Sequence, residues 1–343
     1  MTIDGIRGPA ALAALIALDL CLIAPARAAD DHDKITIAQT STALGFSPDF
    51  IALDEGFFKK NNIEPDIQIV TGGDAATIPA VRTGSAQFGA MTMVPALQAV
   101  ARGETLRLVA PLVREFVVQV VINPASKAKA GLTDQMPLKE KYTRIKGMTV
   151  GTLDIGGGLQ LVFNGLAKQY GFVPDRDFNI TAIKSYPALL TAAKRGDIDV
   201  AMTAIPYGTI GVKQEGLAWF ADFWGGAVPE YDGTMFQGIV TMADFAAKNA
   251  DLVARVNKVY DETLLFMKEH PEKAIADMHK RFPEFSEDLL KVFYVDDKDS
   301  FAKRGIAERH GFELVRNFVA QNLIAAAGQI KYEDFVVPVA QQK

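Results

Sequence analysis

The chain has 343 residues, 49% hydrophobic and 22% charged, with 36 Lys plus Arg against 41 Asp plus Glu for a net charge of −5. That is enough chain for roughly two domains with proper cores and no metal or disulfide staples. The charge balance excludes the basic face of a nucleic-acid binder, and four histidines with a single cysteine exclude a Cys/His zinc site.

Residues 1–28 read as a secretory signal peptide. Arg7 gives a weakly positive start, Ala10 to Ala24 an apolar run broken only by Asp19, and Ala26-Arg27-Ala28 an A-x-A cleavage signal. The run is short for a bilayer span, and no later run reaches eighteen apolar residues. A lipoprotein reading of Cys21 fails because Leu20, not a small residue, precedes it. Cleavage near Ala28 discards Cys21. A cysteine-free exported chain fits the bacterial periplasm.

From Lys34 the order is strand, loop, helix, strand, helix, strand. Ile35 to Gln39 alternates as a strand, and Ser47-Pro48 supplies an N-cap and a first-turn proline. The helix that follows ends at Asn61-Asn62, before a strand at Ile67 to Val70. Gly72-Gly73-Asp74 opens a second helix ending near Gly84, and Phe88 to Thr92 is a strand. Leu106 to Val113 and Phe116 to Ile122 are strand candidates, Asn123-Pro124 a boundary, and Ser126 to Lys146 a polar loop.

The same series then recurs. Met148 to Thr152 is a strand, and Gly156-Gly157-Gly158 introduces a helix to about Tyr170. A strand near Asn179 to Ile183 and a helix from about Pro187 to Arg195 follow. Gly196 to Thr203 repeats Gly84 to Thr92 with a one-residue slip, and each copy has a proline three residues on, Pro95 and Pro206. Two related α/β lobes are expected, each a mainly parallel sheet flanked by helices. Phe236 to Thr241 is a further strand, Leu252 to Met267 a long helix, and the chain to about Asn322 is mostly helical packing for the first lobe.

Several strings carry a resemblance: Asp54-Glu55-Gly56-Phe57-Phe58, Val81 to Gly89, Lys146 to Gly151, and Ala193 to Ala201 followed by Pro206. Together they resemble the periplasmic solute-binding proteins of ABC importers with the type II two-lobe fold. The branch is the one serving nitrate, taurine, aliphatic sulfonates and thiamine-pyrimidine precursors. The resemblance implies that the chain returns to the first lobe near residue 234. Residues 29–123 and 235–343 would then form the first lobe and 124–234 the second. It further implies a small ligand in the cleft, hinge closure, delivery to a permease with its ATPase, and a monomer without cofactor or metal.

Open parallel sheets bind ligands beyond their strand C-termini, which directs attention to Ser41 and Thr42, Gly73 and Asp74, Thr92, Gly156 to Gly158, Thr203 and Tyr207. The three glycines offer bare N–H groups at a helix start, an anion seat. Asp74 suits a helix N-cap as well as a ligand. Asp154 would repel an anion unless it faces away, or it would mark an amine on the ligand. Either Thr92 or Thr203 can offer a hydroxyl or simply satisfy local backbone. Arg114 can pair with an acidic ligand or, beside Glu115, sit in a solvated turn, and Tyr207 can cover the cleft or pack. Trp219 and Trp224, with Tyr231 and Phe236, divide between core and an apolar pocket wall.

A micromolar affinity needs about −8 kcal/mol, whereas a helix terminus gives roughly 0.3–1. An anionic head with an organic body, such as a sulfonate or carboxylate, is therefore favoured over bare nitrate. Alternatives are a thiamine-pyrimidine precursor, ligand presentation to a sensory receptor, and an enzyme of the same fold. The enzyme in question, a thiamine-pyrimidine synthase, uses a cysteine-rich iron motif that the mature chain lacks. Gly-x-Ser-x-Gly and His-Glu-x-x-His are also missing from the sequence.

Overall fold

The computed structural model describes residues 32–296 and 300–338. The expected signal peptide, with Cys21 and Ala28, lies outside them. Ten strands run in chain order as β1 (Asp33–Gln39), β2 (Ile63–Ile69), β3 (Phe88–Thr92), β4 (Leu106–Val113), β5 (Val118–Ile122), β6 (Thr149–Thr152), β7 (Asn179–Ala182), β8 (Val200–Ala204), β9 (Ala218–Asp222) and β10 (Gln237–Met242). They form two five-stranded sheets in the orders β2-β1-β3-β10-β4 and β7-β6-β8-β5-β9.

The two orders correspond strand for strand. In each sheet the first three strands are parallel, and the fourth, β10 or β5, is antiparallel to both neighbours. Each sheet is therefore mixed, with one reversed strand. That strand is the one the chain lays down on arriving from the other sheet. Because β5 pairs with β8 and β9, the chain passes from the first sheet to the second between β4 and β5 and returns between β9 and β10. Below, each sheet with its helices is called a lobe.

Central strands are apolar on both faces, as helices covering both sides require. Every residue of β3, β5 and β8 is buried. Gln119 survives in the middle of β5 because its Nε2 donates to Thr209 Oγ1 (3.0 Å) and Asp222 Oδ2 (3.2 Å).

The expected polar loop after Asn123 instead holds two short helices, Pro124–Lys129 and Leu138–Arg144. Asn123 caps the first by accepting from the N–H groups of Ala125 and Ser126. The second buries Tyr142 against Phe163 and Phe220, while Lys141 Nζ donates to the Phe220 carbonyl. Ser47 does not cap its helix: it is the first residue of the Ser47–Asp54 helix, after a short 3₁₀ turn at Leu44–Phe46. The Arg309–Asn322 helix does more than cover the first lobe. Its Phe318 packs on Phe116 and Tyr231 and lies against Gly165 of the second lobe, where a Cβ would come within 2.3 Å of the ring.

Asp49, on the Ser47–Asp54 helix, is fully buried, and no hydrogen bond of ordinary geometry reaches either carboxyl oxygen. Burial, opposed in part by the adjacent Tyr260 hydroxyl, pushes its pKa up to about 7. The folded state thus holds a proton that the unfolded chain releases near pH 4. Stability from this site is fully present in acid and declines as pH rises through 7, a span of roughly 4 kcal/mol. Asp49→Asn should raise the melting temperature at pH 8 and change it little at pH 4, where both states hold the proton in large part, as measured by thermal unfolding at both values.

Candidate functional site

A cavity of about 200 Å³ opens between the lobes. The loops after β1 and β2 supply Thr40, Ser41, Thr42 and residues 69–73, and the loops after β6, β7 and β8 supply Leu153, Lys184 to Pro187 and Tyr207. All five loops leave the C-terminal ends of strands, as open sheets dictate. A larger hollow of about 390 Å³, lined by Ala243, Ala246, Ala250 and Val253, belongs to the first lobe alone. There Arg107 is already engaged with the Glu333 carbonyl at 2.7 Å. The cavity between the lobes, unlike that hollow, has walls that a hinge can bring together.

Hydroxyl groups and rings dominate that cavity. Tyr186 and Tyr207 stack with centroids 4.4 Å apart at 20°. The Tyr207 hydroxyl bonds Thr42 Oγ1 across the lobes at 2.7 Å, and Leu44 N–H reaches the Ile205 carbonyl at 3.1 Å. Burial raises the pKa of both tyrosines, so they present neutral O–H groups. Lys184 is the single charged side chain of the lining; it is exposed at the rim.

Behind the cavity the lobes interlock through two carboxyl groups. Asp74 begins the Asp74–Thr83 helix of the first lobe. Its Oδ1 accepts from Thr40 Oγ1 and Thr92 N–H, both at 3.0 Å. Its Oδ2 accepts from Thr92 Oγ1 at 2.6 Å and from Gly158 N–H at 2.8 Å. Gly158 begins the Gly158–Gln169 helix of the second lobe. Asp154, from that second lobe, accepts in return from Ala75 N–H at 3.2 Å.

Burial, and after it the Asp74 charge, pushes the Asp154 pKa up to about 7, with the Ala75 and Asp74 amides pulling the other way. Asp74 is raised as well, by burial, against the opposing bonds from Thr92, Gly158 and Thr40.

Of the sequence candidates, Ser41, Thr42, Gly73 and Tyr207 line the cavity. Asp74, Thr92 and Gly158 form the buried network behind it. Gly156 N–H is taken by Gln160 Oε1 at 2.6 Å, and a Cβ at Gly157 would fall 2.0 Å from Asp154 Oδ1. The glycine loop therefore does not present the free anion seat that its sequence suggests, because the protein's own side chains fill it. Thr203 is spent on the Gln119 carbonyl at 2.7 Å. Arg114 lines a separate small hollow with Gly233, Met235 and Ile306. Trp224 donates to Ser300 Oγ at 2.9 Å and packs on Phe293, outside the cavity lining. Lys184, Ser185 and Tyr186 escaped sequence reading, although their place directly after a strand marks them.

A family model described as NMT1/THI5 like matches residues 44–274. The chain belongs to the NMT1/THI5-like family. No curated protein matches it by sequence, but solved structures share its fold. The ligand binding component of an ABC-type import system from Staphylococcus aureus superposes with TM-score 0.66 at 15% identity, over 90% of this chain and 97% of that one. The periplasmic aliphatic sulphonate binding protein SsuA from Escherichia coli gives 0.61 at 16%, over 83% and 90%. The periplasmic nitrate-binding protein NrtA from Synechocystis PCC 6803 gives 0.64 at 13%, over 89% and 84%. At these identities the likeness establishes a shared fold, that of periplasmic binding proteins. Among the described residues of this NMT1/THI5-like chain, no helix is long and apolar enough to cross a membrane, and no cluster of His, Cys, Asp and Glu suits a metal ion.

The close approach at the glycine loop has a measurable consequence. Gly156 has φ +85° and open space around it, so Gly156→Ala should cost only about 1 kcal/mol of backbone strain. Gly157→Ala and Gly158→Ala drive a Cβ into Asp154 or into Thr92 (2.1 Å from Oγ1), and each should cost about 1–3 kcal/mol. Urea unfolding of the three variants checks the order.

Proposed function

We propose that this protein is an exported solute-binding component of an ABC importer that carries a small organic anion between its lobes. The observation that carries this reading is the lining of the cavity. Lys184 is its one charge, set beside several hydroxyls and two stacked tyrosine rings. An ammonium at the rim pairs with a carboxylate or sulfonate head, hydroxyls bond the remaining oxygens, and the rings with Leu153 and Pro187 receive the organic body. A cavity of about 200 Å³ suits a compact solute.

Family membership supports a binding role over catalysis. So does the likeness in fold to proteins described as parts of ABC import systems and as sulphonate or nitrate binders. The apolar run and Ala26-Arg27-Ala28 at the amino end support export to the periplasm. Closure would bring residues 40–73 and 184–187 onto the ligand, and the closed form would dock on the permease.

Titration of purified mature protein with alkyl sulfonates, short carboxylates and pyrimidines, followed by tryptophan fluorescence or calorimetry, tests the reading. Lys184→Met should weaken binding of the best anion by about 10-fold or more while leaving the melting temperature in place. Equal affinity in the variant, or preference for a cationic or uncharged solute, would overturn the anionic assignment.

A further inference from the structure

The glycine loop poses a question that the cavity leaves open: what anion does a helix start of this kind accept? The Gly158–Gln169 helix is long enough for its first N–H groups to attract negative charge. In this chain the attracted group is covalently attached. Asp74 is 2% exposed, and its two oxygens accept four bonds, from Thr40, from Thr92 twice and from Gly158 across the lobe boundary. Glycine at 158 and at 73 lets the opposite lobe come this near, since a Cβ at Gly158 would strike Thr92 and one at Gly73 would strike Asp154. Asp154 answers from the other side by accepting from Ala75 N–H at the start of the first lobe's helix.

We propose that the Asp74 carboxylate is a built-in anion: it fills the helix seat of the opposite lobe, draws the lobes together without ligand, and bars bare inorganic oxyanions from the glycine loop. In this role Asp74 is a specificity and positioning residue. A bare oxyanion has little organic body for the Tyr186 and Tyr207 rings, and in the loop that would hold it the Gly156 and Gly158 N–H groups are already taken. A solute is left with the Lys184 side of the cavity. The charged groups near this seat are few. Asp154 and Tyr186 face it from the second lobe, Lys184 lies across the cavity, and Arg82 is tied to Glu104 at the far end of the Asp74–Thr83 helix. The inference does not depend on which solute the cavity takes, so its failure would leave the Lys184 assignment standing.

Chemical rescue tests it on the full mature chain. Asp74→Ala removes the fragment that formate replaces and nitrate mimics in size and charge. The wild type should show the same melting temperature in dilute formate or nitrate as in chloride at equal ionic strength. Asp74→Ala should lose about 5 °C and show a larger radius of gyration by small-angle X-ray scattering. Formate or nitrate, but not chloride, should restore at least half of both changes. Three results would overturn the proposal: specific stabilisation of the wild type by nitrate, an Asp74→Ala protein with wild-type stability and radius, or a folded variant indifferent to formate and nitrate. Should Asp74→Ala not fold, Asp74→Asn carries the test. It keeps the size of the side chain but removes the charge and sets an NH2 against one of the donors that Asp74 now accepts from, so it should enlarge the radius as Asp74→Ala does, and a wild-type radius and stability would count against an anionic seat.

Discussion

Two carboxyl groups reach across a glycine-lined seam, and the relation between the lobes is built around them. Asp74 of the first lobe receives the first N–H of the second lobe's helix, and Asp154 of the second receives an N–H of the first lobe's helix. Neither bond forms unless Gly73 and Gly158 lack side chains, because Asp154 and Thr92 of the opposing lobes already occupy that volume. Burying carboxyls is costly, and the raised pKa of both groups reflects it. What offsets the cost is the set of amides and hydroxyls converging on them. The cavity wall, the Thr42–Tyr207 bond and the placement of Lys184 all follow from lobes held at this separation.

The topology explains how one chain arrives at that geometry twice. Each sheet receives one antiparallel strand at the moment the chain crosses over, β5 into the second sheet and β10 into the first. Duplicated strand orders put equivalent loops at the C-terminal edges of both sheets, facing each other. The duplication is imperfect where function would require it to be. Thr92 spends its hydroxyl on Asp74, whereas its counterpart Thr203 spends it on the Gln119 carbonyl. Equivalent positions thus serve the clasp in one lobe and the core in the other.

Much of this was legible in the amino-acid sequence. Alternation in Ile35 to Gln39, the apolar run at Phe88 to Thr92 and the glycine stops at Gly84 and Gly196 mark their elements to within a residue or two, since local periodicity and αL glycines decide them. The loops after strands pointed to Ser41, Thr42, Gly73 and Tyr207. Contacts between lobes are different, because they depend on tertiary approach rather than on pattern. Nothing near Asp154 in the chain says that it meets Ala75, and nothing near Gly158 says that its N–H is already taken. Trp224 illustrates the same gap: an aromatic-rich stretch was visible, but its bond to Ser300 was not. Lys184 and Tyr186 directly follow β7, where the strand-end rule applies, but a lysine and a tyrosine there suit a solvated rim as well as a cavity wall.

The central claim is that one small organic anion occupies the space between Lys184 and the stacked tyrosines. Native mass spectrometry of the mature protein, incubated with a mixed pool of small sulfonates and carboxylates and sprayed under non-denaturing conditions, tests it most directly. The account predicts a one-to-one adduct with an anionic organic solute that persists in the wild type and largely disappears in Lys184→Met. An adduct of undiminished abundance in that variant, or no adduct from any organic anion in protein shown to be folded and free of carried-over ligand, would contradict it.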